Sequence, residues 1–226
     1  MICFNLKWWG VAAAVLLCFV PGAFAGSSLT MTGAGNNVMG GVYVGPYSAT
    51  VNGVATTVIC DDFKDDSVIG HTWNVTTNNF STLGSALWGN QTVAYEQAAW
   101  LTLQMLSLSG NSSNNTQVGY LSFAIWSIFD KAALNGLNST QLAGVNIWIN
   151  KIPTNLTLSQ FSNFVILTPQ GCTNGPGSCP GQEFLEVIMP EGGAAASYLL
   201  IAWLACLGAV LLRSWRRMQE ASPSLS

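Results

Sequence analysis

Tyr47–Cys60 reads YSATVNGVATTVIC, and apolar and polar residues alternate on both sides of Asn52-Gly53. Alternation with a period of two puts one set of side chains on each face of an extended chain. Asn-Gly supplies the two positive φ values that a tight hairpin turn demands. The segment is therefore a pair of antiparallel strands, and it ends on a cysteine.

Upstream, Leu29–Val44 is Gly-rich with short apolar runs, as expected of an edge strand and its turns. Downstream, His71–Val75 reads as a further short strand. Then the period lengthens. Thr92–Leu108 places Tyr95, Ala99, Leu103 and Leu106 on one helical face. Gly110–Asn114 interrupts it. A second helix is predicted over Thr116–Leu134, capped by Asn115, with Val118, Leu121, Ile125 and Ile128 inward. A third begins behind Ser139 and carries Leu142, Val145 and Ile149 at helical spacing. Strand character returns at Phe161–Thr168 and Glu183–Met189. Strands flanking a helical block predict an α+β domain: an antiparallel β-rich unit with about three inserted helices covering part of a sheet, followed by one C-terminal transmembrane helix.

The chain has 226 residues, of which half are hydrophobic and only 8% charged. Part of that excess lies at the ends. Residues 1–25 have the layout of a secretory signal: Lys7, an apolar stretch from Trp8 to Val20, Pro21, and Ala23-Phe24-Ala25 as a cleavage site. Residues 26–189 form the expected exported domain. It holds three lysines, no arginine and eight acids, so it lacks the basic surface that phosphate neutralisation requires, and nucleic acid is not an expected partner.

The tail is organised differently. Residues 194–212 carry no charge, and nineteen helical residues at about 1.5 Å each approach the roughly 30 Å hydrocarbon core of a bilayer. Arg213, Arg216 and Arg217 follow and mark the cytoplasmic side, which leaves 218–226 as a cytoplasmic tail and puts the main domain outside the cytoplasm. Pro190-Glu191, a single span and Arg216-Arg217, in that order, resemble a PEP-CTERM sorting signal over 190–217. The resemblance implies an exosortase-like protease that recognises Pro-Glu and removes the tail, in a Gram-negative bacterium whose surface proteins enter an extracellular polysaccharide matrix. Here Gly192 stands where the family usually has a second proline. A plain type I membrane anchor is the simpler alternative.

Three cysteines belong to the exported domain: Cys60, Cys172 and Cys179. Export implies an oxidising compartment. Cys172 and Cys179 bracket a flexible Thr-Asn-Gly-Pro-Gly-Ser loop between the last two strands, and a disulfide is expected there. Cys60 is left without an obvious partner. It lies in Val58-Ile59-Cys60-Asp61-Asp62-Phe63, and Phe123-Ala124-Ile125-Trp126 follows on a helix. Together these resemble bacterial thioester domains, in which a strand-end cysteine is joined to the glutamine of a Thr-Gln-x-Ala-Ile-Trp motif and the bond captures amines on a target. Ser122 occupies that glutamine position, and a hydroxyl cannot form the bond. Gln97, in Glu96-Gln97-Ala98-Ala99-Trp100, is the alternative amide. Cys60 is otherwise a small buried hydrophobe, or a thiol exchanging with the 172/179 pair.

Asp61, Asp62, Asp65 and Asp66 crowd one turn. Four carboxylates could serve a hard cation, but the spacing is not that of an EF-hand loop, and a solvated acidic turn is the simpler reading. His71, the only histidine, could pair with Cys60 as base and nucleophile, or stand at a strand end. Trp73, Trp88, Trp100, Trp126 and Trp148 could stack on sugars or fill the core. No cofactor is implied. The expected function is that of a non-enzymatic surface or matrix protein, with the inner membrane, the processing protease, and extracellular polysaccharide or neighbouring surface proteins as partners. The alternatives are a covalent adhesin using Cys60 and Gln97, and a membrane-anchored binding protein.

Overall fold

The computed structural model describes residues 26–188. The strands are β1 (Ser27–Gly33), β2 (Val38–Met39), β3 (Val42–Tyr43), β4 (Tyr47–Val51), β5 (Val54–Cys60), β6 (Thr72–Asn78), β7 (Phe164–Pro169) and β8 (Phe184–Val187). The helices α1 (Thr92–Leu108), α2 (Asn115–Phe129) and α3 (Ser139–Asn150) all fall between β6 and β7.

Six strands close into an antiparallel barrel in the order β1-β4-β5-β8-β7-β6, while β2 and β3 form a separate small hairpin. This corrects the α+β expectation of an open sheet partly covered by helices. β1 pairs with β4 on one side and with β6 on the other, and that second pairing closes the ring. Closure removes both sheet edges and leaves every barrel strand with two neighbours.

The β4–β5 hairpin forms as read, with Asn52 and Gly53 at φ 51° and 80°. Directly paired residues share a face, so the register divides interior from exterior. Leu29–Trp73, Met31–Ala49, Tyr47–Val58, Cys60–Phe184 and Leu167–Phe184 fill the interior. Ile59–Leu185 and Ile166–Leu185 face outward and are nevertheless buried. The helical block accounts for this, since α2 packs on β5 and lies between α1 and α3.

α2 is buried from Leu121 to Ser127 without a break. Its neighbours are correspondingly small where they meet it: a Cβ on Gly144 of α3 would lie 2.3 Å from the Tyr120 ring. The predicted second helix was too long. It stops at Phe129, and a 3₁₀ segment, Lys131–Gly136, follows, its first N–H groups capped by Asp130. The start also differs: Asn111 caps a 3₁₀ turn through Ser113 N–H, and Asn115 is the first residue of α2. α3 starts as expected, behind a capping box of Asn138 and Gln141. The buried face of α1 is rotated from the expected one: Tyr95, Ala98, Ala99, Leu101, Thr102 and Met105 are inward, and Leu103 is exposed.

Among the described residues no helix is long and apolar enough to cross a membrane. The expected span 194–212, the sorting residues Pro190, Glu191, Arg213, Arg216 and Arg217, and the signal at 1–25 lie outside the described residues.

Candidate functional site at the mouth of the barrel

β5 delivers Cys60, Asp61 and Asp62 to one end of the barrel, and alternation sends their side chains different ways. Cys60 points into the interior opposite Phe184 and is 1% exposed. Its thiol donates to the Asp62 carbonyl at 2.9 Å. Burial, then the charges of Asp62 and Asp61, push its pKa well up; the nearby Trp126 indole only partly offsets this. A thiol held protonated is a poor nucleophile. Cys60 is unpaired among the described residues, and Cys172 and Cys179 form the expected disulfide.

Among the described residues Cys60 is bonded to neither Ser122 nor Gln97. Ser122 is buried on α2, and its hydroxyl donates to Val118 O of the preceding turn at 3.3 Å. Gln97 lines a groove on the helical block with Ala94, Ser127, Lys131, Ile149 and Pro153, a groove in which Cys60 has no part. His71 is exposed and rests against the Trp73 ring, with centroids 5.6 Å apart. Trp73 and Trp126 are core residues, and Trp88, Trp100 and Trp148 are packed against the core.

The acidic turn is not solvated, a second correction. Asp61 and Asp62 are fully buried, Asp65 is nearly so, and only Asp66 is exposed. Nor do the four converge: among the described residues no group of three or more His, Cys, Asp or Glu side chains is arranged to hold a metal ion. Asp65 accepts N–H bonds from Gly177 and Cys179, at 2.8 and 2.9 Å, and so secures the disulfide loop. Asp62 accepts from Lys64 N–H at 2.9 Å; burial still raises its pKa to about 7.

Asp61 faces outward beneath the helices, beside Glu183, a residue that the sequence reading did not single out. Glu183 accepts from Tyr95 O–H at 2.6 Å, from Leu87 N–H at 2.8 Å and from the Thr168 hydroxyl. It thereby joins α1, the segment before it and β7. No N–H or O–H donor reaches either oxygen of Asp61. Two carboxyls in contact, removed from water, cannot both ionise. Burial first, then the charges of Glu183 and Asp62, raise the Asp61 pKa strongly, which favours its protonated form beside Glu183. Burial raises Glu183 too, opposed by the bonds it accepts. The signal available in the sequence was an acid two residues before an outward-facing, buried strand position, Leu185.

In front of these buried groups the barrel mouth opens as a cleft of about 330 Å³. Its walls include Tyr43, Tyr47, Phe63 and Trp126, with Asp66 and Gln182 among the polar groups. Gly45 makes room for Tyr47, whose ring would lie 2.7 Å from a Cβ there. Comparison with protein-family models, curated proteins and solved structures finds no match for this chain, and the arrangement stands on its own geometry.

Proposed function

We propose that this is an exported, non-enzymatic surface or matrix protein of a Gram-negative bacterium, in which a PEP-CTERM-like tail inserts in the inner membrane for an exosortase-like protease and the barrel domain makes the contacts. The observation that carries this reading is the fate of the reactive groups. The one unpaired thiol of the described domain is sealed and protonated, and the buried acids are used to hold helices onto the barrel. What remains open to solvent is a binding surface. The Cys172–Cys179 disulfide supports export. The order Pro190-Glu191, chargeless 194–212, then Arg213, Arg216 and Arg217 supports the route.

The test is the intact mass of the protein recovered from producing cells, together with its location. The expected form begins at Gly26, lacks the segment after Pro190-Glu191, and lies outside the cytoplasm. A full chain in the cytosol with its leader attached overturns the reading. The same spectrum addresses the covalent-adhesin alternative. A Cys60–Gln97 thioester lowers the mass by one ammonia and gives an adduct with methylamine; the sealed thiol and the separate placement of Gln97 support an unmodified mass.

A further inference from the structure

The cleft at the barrel mouth has a composition that narrows its ligand. Four of its lining side chains are aromatic: Tyr43 is exposed, Phe63 is half-buried, and Tyr47 and Trp126 are buried. Phe63 and Trp126 adjoin, with ring centroids 5.2 Å apart, and Tyr43 is 55% exposed. None of the lining residues is basic, while the exposed carboxylate of Asp66 stands at the wall. Aromatic faces carry negative potential and attract cations, and a carboxylate beside them adds to that attraction. An anionic ligand is therefore excluded and a cationic one is favoured.

Two polar groups narrow it further. The Gln182 side-chain N–H donates to Asp62 O at 2.8 Å, which leaves its amide oxygen as an acceptor. The Ser67 oxygen already accepts Gln182 N–H at 3.1 Å, which leaves its hydroxyl proton to donate. A bare alkylammonium ion would use neither. A pyranose has hydroxyls for both and an apolar face for the rings. The volume, about 330 Å³, is at the small end for ligand pockets and suits one sugar unit rather than a length of polymer.

We propose that this cleft binds an amino sugar with a free ammonium group, which pairs with Asp66 among the aromatic rings while its hydroxyls meet Gln182 and Ser67. The proposal deepens the attachment role and rests on it only for the source of such a sugar. Binding by the purified protein and location in the cell are separate measurements, so either can fail alone.

The experiment is calorimetric titration of the full chain, solubilised in detergent, with glucosamine, N-acetylglucosamine, glucose and tetramethylammonium at millimolar concentrations. Glucosamine is expected to bind roughly tenfold or more tightly than the other three, the size of one desolvated cation–aromatic contact. Asp66→Asn should reduce glucosamine binding to the level of N-acetylglucosamine with an unchanged thermal midpoint, because the residue is exposed. Tyr43→Ala, at another exposed position, should weaken it independently. No glucosamine binding, equal binding of N-acetylglucosamine, or an Asp66→Asn variant that binds like the parent would overturn the proposal. Tetramethylammonium binding as tightly as glucosamine would also overturn it, since charge alone would then suffice.

Discussion

Glu183 shows how much one side chain can decide. Its carboxylate takes three hydrogen bonds from three separate segments, and burial makes each one matter. Glu183→Ala would leave Tyr95 O–H, Leu87 N–H and Asp61 without a partner, and should cost about 3 kcal/mol or more in chemical denaturation. Asp61→Asn keeps a donor toward Glu183 and should be far milder. The raised carboxyls also set a pH dependence. Unfolded aspartates release their protons near pH 4, whereas Asp62 holds its proton to about 7 and burial beside Glu183 raises Asp61 well above its ordinary value. Between those values the folded state binds more protons than the unfolded chain, so stability is greatest at the acid end of the window and falls as pH rises through it. Thermal midpoints should therefore drop from pH 5 to pH 8, and Asp61→Asn should flatten that drop. Cys60, 1% exposed, should resist a thiol reagent in the native state and react in denaturant; rapid native labelling would contradict its placement.

At the scale of elements, the β4–β5 hairpin was legible because its information is local: alternation, and a turn pair that only a tight hairpin needs. α3 was legible for the same reason, through the helical spacing of Leu142, Val145 and Ile149. The buried face of α1 was read only in part: Tyr95 and Ala99 are inward as expected, but apolar residues lie all round this helix, and spacing alone did not choose Leu101 and Met105 over Leu103. α2 was read too long because its apolar character continues past Phe129, where the Asp130 cap starts a different turn. The acidic turn misled most. Four aspartates in six residues look solvated, and only the placement of the helices and the disulfide loop buries three of them. Packing between α2 and α3 gives a direct check. Gly144→Ala forces a methyl into the Tyr120 ring and should destabilise by about 1–3 kcal/mol, measured by urea unfolding. Replacing Cys172 and Cys179 with serine frees a loop tied to β5 through Asp65, and should cost about 2–3 kcal/mol.

For the molecule as a whole, closure was the fact the sequence hid. It depends on β1 meeting β6 and on β7 and β8 entering between β5 and β6, and the β5–β8 and β6–β7 pairings span the helical insertion. No local pattern encodes such distant register. The alternative of a thioester between Cys60 and Gln97 likewise rests on two short motifs, and Cys60 takes no part in the groove that Gln97 lines. The direction of β8 has a consequence for display. The strand sets out beside Gln182 at the cleft and finishes at Val187, a few residues short of Pro190. Four residues of strand advance about 13 Å away from that mouth. Ser27 begins β1 next to the Asn52-Gly53 turn, at the end of β5 away from Cys60. β8 thus runs away from the aromatic mouth toward the last described residue, Ile188. A domain held by its carboxyl end would stand with that mouth uppermost, reachable without reorientation and out of the way of whatever holds it.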